Sequence, residues 1–166
     1  MILRKALLSD QTIIWKILQH AIQQRKEDGS NQWQNGYPNP QTILDDIANG
    51  AAHVLTENEK IIAYVAIIFD IEPAYTIIEG EWLSDGEYVV VHRVAVSKEV
   101  KSKGIATHIF KMIEKLVIEQ EIYSIKVDTN FDNIPMLKIL DNLGYTYCGE
   151  VYFNHSPRRA FEKVLK

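Results

Sequence analysis

The stretch that decides the fold is Tyr88-Val89-Val90-Val91-His92-Arg93-Val94-Ala95-Val96, which is followed by a basic turn and a helical pattern. The run is β-branched and too apolar for a surface strand, so it predicts a strand that is covered on both faces. Residues 97–103 then hold three lysines and one acid. Beyond Gly104, apolar residues recur at helical spacing: Ile105, Ile109, Met112, Ile113 and Leu116. The sequence therefore predicts a buried strand, a basic turn and an amphipathic helix.

The start of this helix is suited to binding an anion. The first turn of a helix presents backbone N–H groups without intrahelical partners and the positive end of the helix dipole. Gly104 and Ala106 are small enough for a phosphate to approach the backbone, Thr107 adds a hydroxyl, and Lys101 and Lys103 add positive charge. The spacing matches neither a Walker loop nor the three-glycine dinucleotide fingerprint. We therefore expect a phosphorylated cofactor bound by another kind of loop.

Two segments resemble motifs of the GCN5-related N-acetyltransferase (GNAT) family. The first is Lys101-Ser102-Lys103-Gly104-Ile105-Ala106, which is similar to the family's pyrophosphate loop of Arg or Gln, two residues, Gly, any residue, and Gly or Ala. Lysine in the first place is a mild departure. The second is residues 133–145, which resemble the family's motif of Asn, a helix, Gly and an aromatic residue. With both motifs in order, the resemblance covers nearly the whole chain.

The resemblance implies a fold, a reaction and a set of cofactor residues. The fold is an α/β one, with a mixed, mostly antiparallel sheet that splays between its fourth and fifth strands and is flanked by helices. The acceptor amine would attack the thioester of acetyl-CoA directly, without a metal or a covalent enzyme intermediate. Backbone groups along the pantetheine arm would come from Val94, Ala95 and Val96. The pyrophosphate would lie on Lys101, Ser102, Lys103, Gly104, Ile105, Ala106 and Thr107, and the arm or ribose side would contact Asn130, Asn133 and Met136.

The catalytic groups depart from the family pattern. The tyrosine that often serves as general acid falls at Leu140, and the glutamate base of other members falls near Val90. In a regular strand His92 shares a face with Val90 and Val94, whereas Arg93 points to the other, so His92 is the titratable group nearest the reacting centre. We consider it equally as a proton acceptor and as a buried, hydrogen-bonded histidine without a catalytic part. Weaker candidates are Glu79, Glu81, Tyr145 and Tyr147.

Three aromatic residues on two predicted loops are candidates for the acceptor site. Residues 26–40 are rich in glycine and proline, which predicts a loop, and they carry Trp33 and Tyr37. Residues 70–86 form a second loop, with Trp82. The family places an early loop beside its acceptor, so we predict that all three side chains line that site. The alternatives are that Trp33 covers the core and that the second loop is an exposed acidic connection.

Length and composition set the frame for these predictions. The 166 residues, 46% of them hydrophobic, fit one N-acetyltransferase domain over residues 1–166. A single cysteine, Cys148, excludes an internal disulfide, and with no targeting or spanning segment it favours the cytoplasm. A net charge of −4 argues against nucleic acid as a partner.

We expect a small-molecule or peptide amine as acceptor, no membrane association, and a monomer or homodimer. Two other functions stay open: a non-catalytic acyl-CoA sensor or partner-binding domain, and a phosphotransferase or nucleotide-binding enzyme.

Overall fold

The computed structural model describes residues 1–100 and 104–166, which form two compact units. The first unit comprises Met1–Ile68 and Arg93–Ile109, and the second comprises Phe69–His92 and Phe110–Lys166. Lys101, Ser102 and Lys103 of the predicted pyrophosphate loop lie outside the described residues. The expectation of one domain over residues 1–166 stays a prediction.

The first unit joins a small antiparallel sheet to two helices. Its neighbouring strands are, in order, β1 (Ile2–Lys5), β2 (Ala52–Glu57), β3 (Lys60–Ile68) and the C-terminal half of β5 (Val89–Val96). Its helices are α1 (Gln11–Glu27) and α2 (Pro40–Ala48). Asn58 and Glu59 join β2 to β3 with positive φ angles of 47° and 64°, as a tight hairpin turn requires. Fully buried residues of α1, α2, β2 and β3 form the core: Ile14, Leu18, Ile43, Val54 and Tyr64.

The second unit contains the remaining strands. They lie in the order β5 (its N-terminal half), β6 (Ser124–Thr129), β8 (Ser156–Val164), β7 (Thr146–Phe153) and β4 (Glu79–Gly80). Only β5 and β6 are parallel in this order, and their ladder joins Val89 to Ile125 and Val90 to Lys126. The helices are α3 (Ile105–Glu119), whose first turn belongs to the first unit, and α4 (Ile134–Asn142).

This architecture confirms the predicted fold class, a mixed and mostly antiparallel α/β fold. The two-residue strand β4 was not foreseen, so the predicted fourth and fifth strands are β5 and β6. The predicted separation of these two strands stays a prediction. Along the described residues, no helix is both long and apolar enough to cross a membrane.

The regular alternation of faces that we assumed for β5 is wrong at Arg93. This residue has a φ angle of +55°, in the left-handed region, whereas a regular strand has negative φ throughout. Such a residue interrupts the pleat as a bulge does, so residues on its two sides are no longer related by simple alternation. Alternation therefore no longer places His92 on the same face as Val94. It still places His92 on the same face as Val90.

Candidate active site

The His92 side chain lies between two carboxylates of the second unit. Its Nε2 is 3.2 Å from Oε2 of Glu72, and its Nδ1 is 3.5 Å from Oδ1 of Asp128. Parallel pairing explains the second contact, because His92 and Asp128 each lie two residues beyond the paired Val90 and Lys126. The exposed side-chain fractions of His92, Glu72 and Asp128 are only 14%, 17% and 9%. The imidazole is thus oriented by Glu72 at Nε2, with a second carboxylate close to Nδ1.

Tyr75 completes this group and holds Asp128 in place. Its hydroxyl donates to Oδ1 of Asp128 at 2.5 Å. Burial, and after it the charge of Asp128, holds the pKa of Tyr75 well above its ordinary value, so the hydroxyl remains a donor. The ring of Tyr75 meets the His92 ring edge-on at a centroid distance of 6.1 Å, and Phe153 does the same at 6.2 Å. We call Glu72, Tyr75, His92 and Asp128 the histidine cluster.

The histidine cluster can accept and share a proton. A neutral imidazole has one N–H, whereas the imidazolium formed by taking up a proton donates from both nitrogens. In this geometry the Nε2–H would donate to Glu72, and the carboxylate of Asp128 lies 3.5 Å from Nδ1, where its charge favours the imidazolium. A purely structural histidine would also make such hydrogen bonds, so activity measurements must separate the two interpretations of His92.

The sequence analysis missed three of the four members of this cluster. Asp128 offered a weak signal, because it lies in the alternating apolar and polar pattern of β6 and a carboxylate that becomes buried there needs a partner. Glu72 and Tyr75 belong to residues 70–86, for which a lining of the acceptor site and an exposed acidic connection were both left open. Glu72 caps the 3-10 turn Pro73–Thr76, where its Oε1 accepts from the Ala74 amide. Nothing local in the sequence pairs it with a residue twenty positions away.

The weaker catalytic candidates have other surroundings. Glu79 and Glu81 are exposed, and Oε2 of Glu79 accepts from the hydroxyl of Tyr152 at 2.8 Å. Tyr147 is exposed, and its ring meets that of Phe161 edge-on at a centroid distance of 5.6 Å. Tyr145 is buried, which raises the pKa of its hydroxyl, and that hydroxyl has no hydrogen-bond partner among the residues described. Leu140, at the position of the family's tyrosine, is fully buried in the core.

The start of α3 has the features of an anion-binding turn. Gly104 is exposed with a φ angle of +88°, and its carbonyl accepts the hydrogen bond of the His108 amide at 2.9 Å. The amides of Ile105, Ala106 and Thr107 precede the first bond of this helical ladder, so helix geometry gives them no intrahelical acceptor. Glycine is therefore needed for its backbone conformation as well as for close approach of a ligand.

The remaining cofactor candidates differ in what surrounds them. In β5, Ala95 is buried, and Val94 and Val96 are half-buried. Asn133 caps α4, because its Oδ1 accepts from the Met136 amide at 3.3 Å. This cap occupies the side-chain oxygen of a residue that the resemblance assigns to the cofactor.

Asn130 is the cofactor candidate with an unsatisfied polar atom. Its Oδ1 is buried and has no hydrogen-bond partner within the described part of the chain. A buried acceptor without a donor costs about 1–3 kcal/mol. This atom is suited to a ligand N–H group, such as an amide of a pantetheine arm.

The three aromatic residues assigned to the acceptor lie in different settings. Trp33 lines a cleft of about 320 Å³ in the first unit, beside Trp15, Ile22 and Pro38. Tyr37 is 44% exposed, and its hydroxyl accepts from Nη1 of Arg93 at 2.5 Å. The third residue, Trp82, belongs to the second unit. Its Nε1 donates to the Tyr75 carbonyl, and the ammonium of Lys126 lies 4.5 Å from its ring centre.

Comparisons with known proteins place this geometry in a family. The model of the acetyltransferase (GNAT) family matches residues 14–145. A GNAT-family acetyltransferase of Streptococcus agalactiae 2603 is 34% identical over 99% of this chain and 95% of its own, with a TM-score of 0.89. The uncharacterised N-acetyltransferase YesJ of Bacillus subtilis (strain 168) is 26% identical over 96% of this chain and 88% of its own.

A more distant likeness concerns the fold alone. The protein yncA of Salmonella typhimurium, whose structure holds its cofactor acetyl-CoA, is 13% identical over 100% of this chain and 94% of its own, with a TM-score of 0.70. Because the family model covers most of the sequence, this chain belongs to the GNAT acetyltransferase family. The resemblance stated from the two motifs is thereby confirmed.

Proposed function

We propose that this N-acetyltransferase transfers the acetyl group of acetyl-CoA directly to a primary amine of a small molecule or peptide, and that His92 accepts the proton of that amine. The observation that supports the chemical role is the position of His92 between two carboxylates, hydrogen-bonded to Glu72 and 3.5 Å from Asp128. The one cysteine, a buried free thiol, fits a reducing compartment, and the cytoplasm is the proposed location.

We assign the groups that bind the cofactor separately for each of the two units. In the first unit, the free amides at the start of α3 are proposed to hold the pyrophosphate, and the backbone of residues 94–96 to lie along the pantetheine arm. In the second unit, Oδ1 of Asn130 is proposed to accept from an amide N–H of that arm. Acetyl-CoA supplies an activated acetyl thioester. Attack by the amine nitrogen forms the new C–N bond and breaks the C–S bond, so that the CoA thiolate leaves.

The need for a proton acceptor depends on the acceptor amine. A lysine-like amine has a pKa of about 10.4, so forming its reactive neutral state at pH 7 costs about 4.6 kcal/mol. An α-amine with a pKa of about 8 needs far less help. A base beside the amine offsets this cost most where the pKa is highest.

The test compares wild type with His92→Gln by amine-dependent release of CoA, using amines of high and low pKa across mildly acidic to alkaline pH. We expect kcat to fall about 100-fold or more for high-pKa amines, with partial recovery at alkaline pH, where the amine deprotonates unaided. His155→Asn is the control, because His155 is exposed in the β7–β8 turn and asparagine tolerates its φ angle of +65°. Equal rates for wild type and His92→Gln at every pH would contradict the role of His92.

Two further variants separate His92 from its partners. Glu72→Gln and Asp128→Asn each remove one charge from the histidine cluster, so we expect smaller losses of kcat than in His92→Gln, with the KM for acetyl-CoA nearly unchanged. If Glu72→Gln loses more kcat than His92→Gln and shows the partial alkaline recovery expected when a base is removed, Glu72 itself is the base.

A further inference from the structure

Arg93 has a backbone conformation that residues other than glycine rarely adopt. Its φ angle of +55° lies in the left-handed region, although the residue stands within β5. Such a conformation persists only where the surroundings hold it, and it redirects the backbone that follows. The amides directly after it belong to residues 94–96, which the proposed function assigns to the cofactor.

A buried network within the first unit holds the Arg93 side chain. Its Nε and Nη2 donate to Oδ2 and Oδ1 of Asp46 at 2.9 and 2.5 Å, and its Nη1 donates to the hydroxyl of Tyr37 at 2.5 Å. Oδ2 of Asp46 also accepts from the hydroxyl of Tyr64, which is fully buried in β3. The Arg93 and Asp46 side chains are only 9% and 10% exposed. Burial, and then the charge of Asp46, raises the pKa of Tyr64 above its ordinary value, so its hydroxyl stays a donor.

This network determines an orientation more than it adds stability. Apolar residues of similar volume often stabilise a core as well as a buried ion pair does. A bidentate arginine–carboxylate pair instead fixes the plane and direction of the guanidinium. Here Asp46 comes from α2, Tyr64 from β3 and Tyr37 from the loop that carries Trp33, so three segments orient one side chain.

We propose that Asp46 and Tyr64 are positioning residues for acetyl transfer. They lock Arg93 in its left-handed conformation and so hold the amides of residues 94–96 in place for the thioester. Tyr37 ties the neighbouring loop to the same guanidinium. The catalytic part of this inference rests on the proposed function, whereas the locking of β5 does not.

The kinetic test uses Asp46→Asn and Tyr64→Phe. We expect kcat to fall about 10- to 100-fold in Asp46→Asn and less in Tyr64→Phe, which keeps the ion pair and is the milder variant for folding, while the KM for acetyl-CoA stays within about 3-fold. The matched control is Asp45→Asn, the exposed neighbour on α2, which should behave as wild type. Wild-type kcat in both test variants would overturn the inference. So would an equal loss of kcat and of acetyl-CoA affinity, since that indicates general damage.

Amide hydrogen exchange provides a second measurement that needs no turnover. Peptides covering residues 93–97 should exchange faster in Asp46→Asn and Tyr64→Phe than in wild type or Asp45→Asn, with little change in peptides from the second unit. Unchanged exchange in both variants would overturn the proposal that Asp46 and Tyr64 lock Arg93 in its left-handed conformation. If wild type proves inactive but exchange rises as expected, the lock stands and the proposed function alone fails.

Discussion

We expect Gly104 to be required both for its backbone conformation and for close approach of the ligand. A useful substitution changes one of these and spares the other. Its φ angle of +88° is one that L side chains rarely adopt, while no atom of the described residues lies within 4 Å of the position of an added Cβ. A bulky β-branched residue such as valine would therefore strain the backbone and block the ligand at once. Asparagine tolerates left-handed φ, so it adds a side chain with less strain.

We expect Gly104→Asn to weaken acetyl-CoA binding by about 10-fold or more and to leave the melting temperature within a few degrees of wild type, because the new side chain occupies the approach to the free amides. Calorimetric titration with acetyl-CoA measures this directly. Gly29→Asn is the matched control, since Gly29 also has a positive φ angle, +77°, and open space around it. If Gly104→Asn binds acetyl-CoA with wild-type affinity, the start of α3 is not part of the cofactor site.

Single residues also show where sequence reasoning ends. The cap of α4 by Asn133 and the turn at Asn58 and Glu59 are features whose signals lie within a few positions in the chain. The contacts of His92 were not predictable, because Glu72 is twenty residues away in the chain and its pairing follows from the path of a loop. The left-handed Arg93 had no signal either, since only its distant partner Asp46 explains it.

At the scale of elements, the sequence pattern predicted the central strand and the helix after it. The apolar run at residues 88–96 and the helical spacing beyond Gly104 correspond to β5 (Val89–Val96) and α3 (Ile105–Glu119). The strand β4 was missed because two residues, Glu79 and Gly80, are too few to form a pattern. The loops were located correctly, but their aromatic residues could not be assigned to a surface or a core.

The two loop tryptophans should respond differently to replacement. We expect Trp33→Ala to raise the KM for the acceptor several-fold and to leave the KM for acetyl-CoA nearly unchanged, because its side chain lines a cleft. Trp82→Ala should instead lower the melting temperature, since it loses the hydrogen bond to Tyr75 and the packing against Lys126. Steady-state kinetics and thermal unfolding of both variants check this. If Trp33→Ala changes only stability, Trp33 belongs to the core.

At the scale of the whole molecule, the two motifs and the order of the elements were enough to recognise the family, because they extend over most of the chain. The acceptor was not predictable, since fold alone does not select a substrate. The two departures from the family pattern, at Val90 and Leu140, also leave catalysis as the part of the account that most needs measurement. Both side chains are fully buried and aliphatic, so neither can serve as the acid or base.

The most direct test is to incubate the purified chain with acetyl-CoA and a panel of amines that includes small diamines, amino acids, aminoglycosides and short peptides. CoA release and the mass of each amine are followed together, with binding of acetyl-CoA and of ATP measured by calorimetry on the same preparation. The account predicts that acetyl-CoA binds and that one amine class gains one acetyl group for each CoA released. Binding of acetyl-CoA without release above the uncatalysed rate for any amine, or binding of ATP in its place, would contradict it.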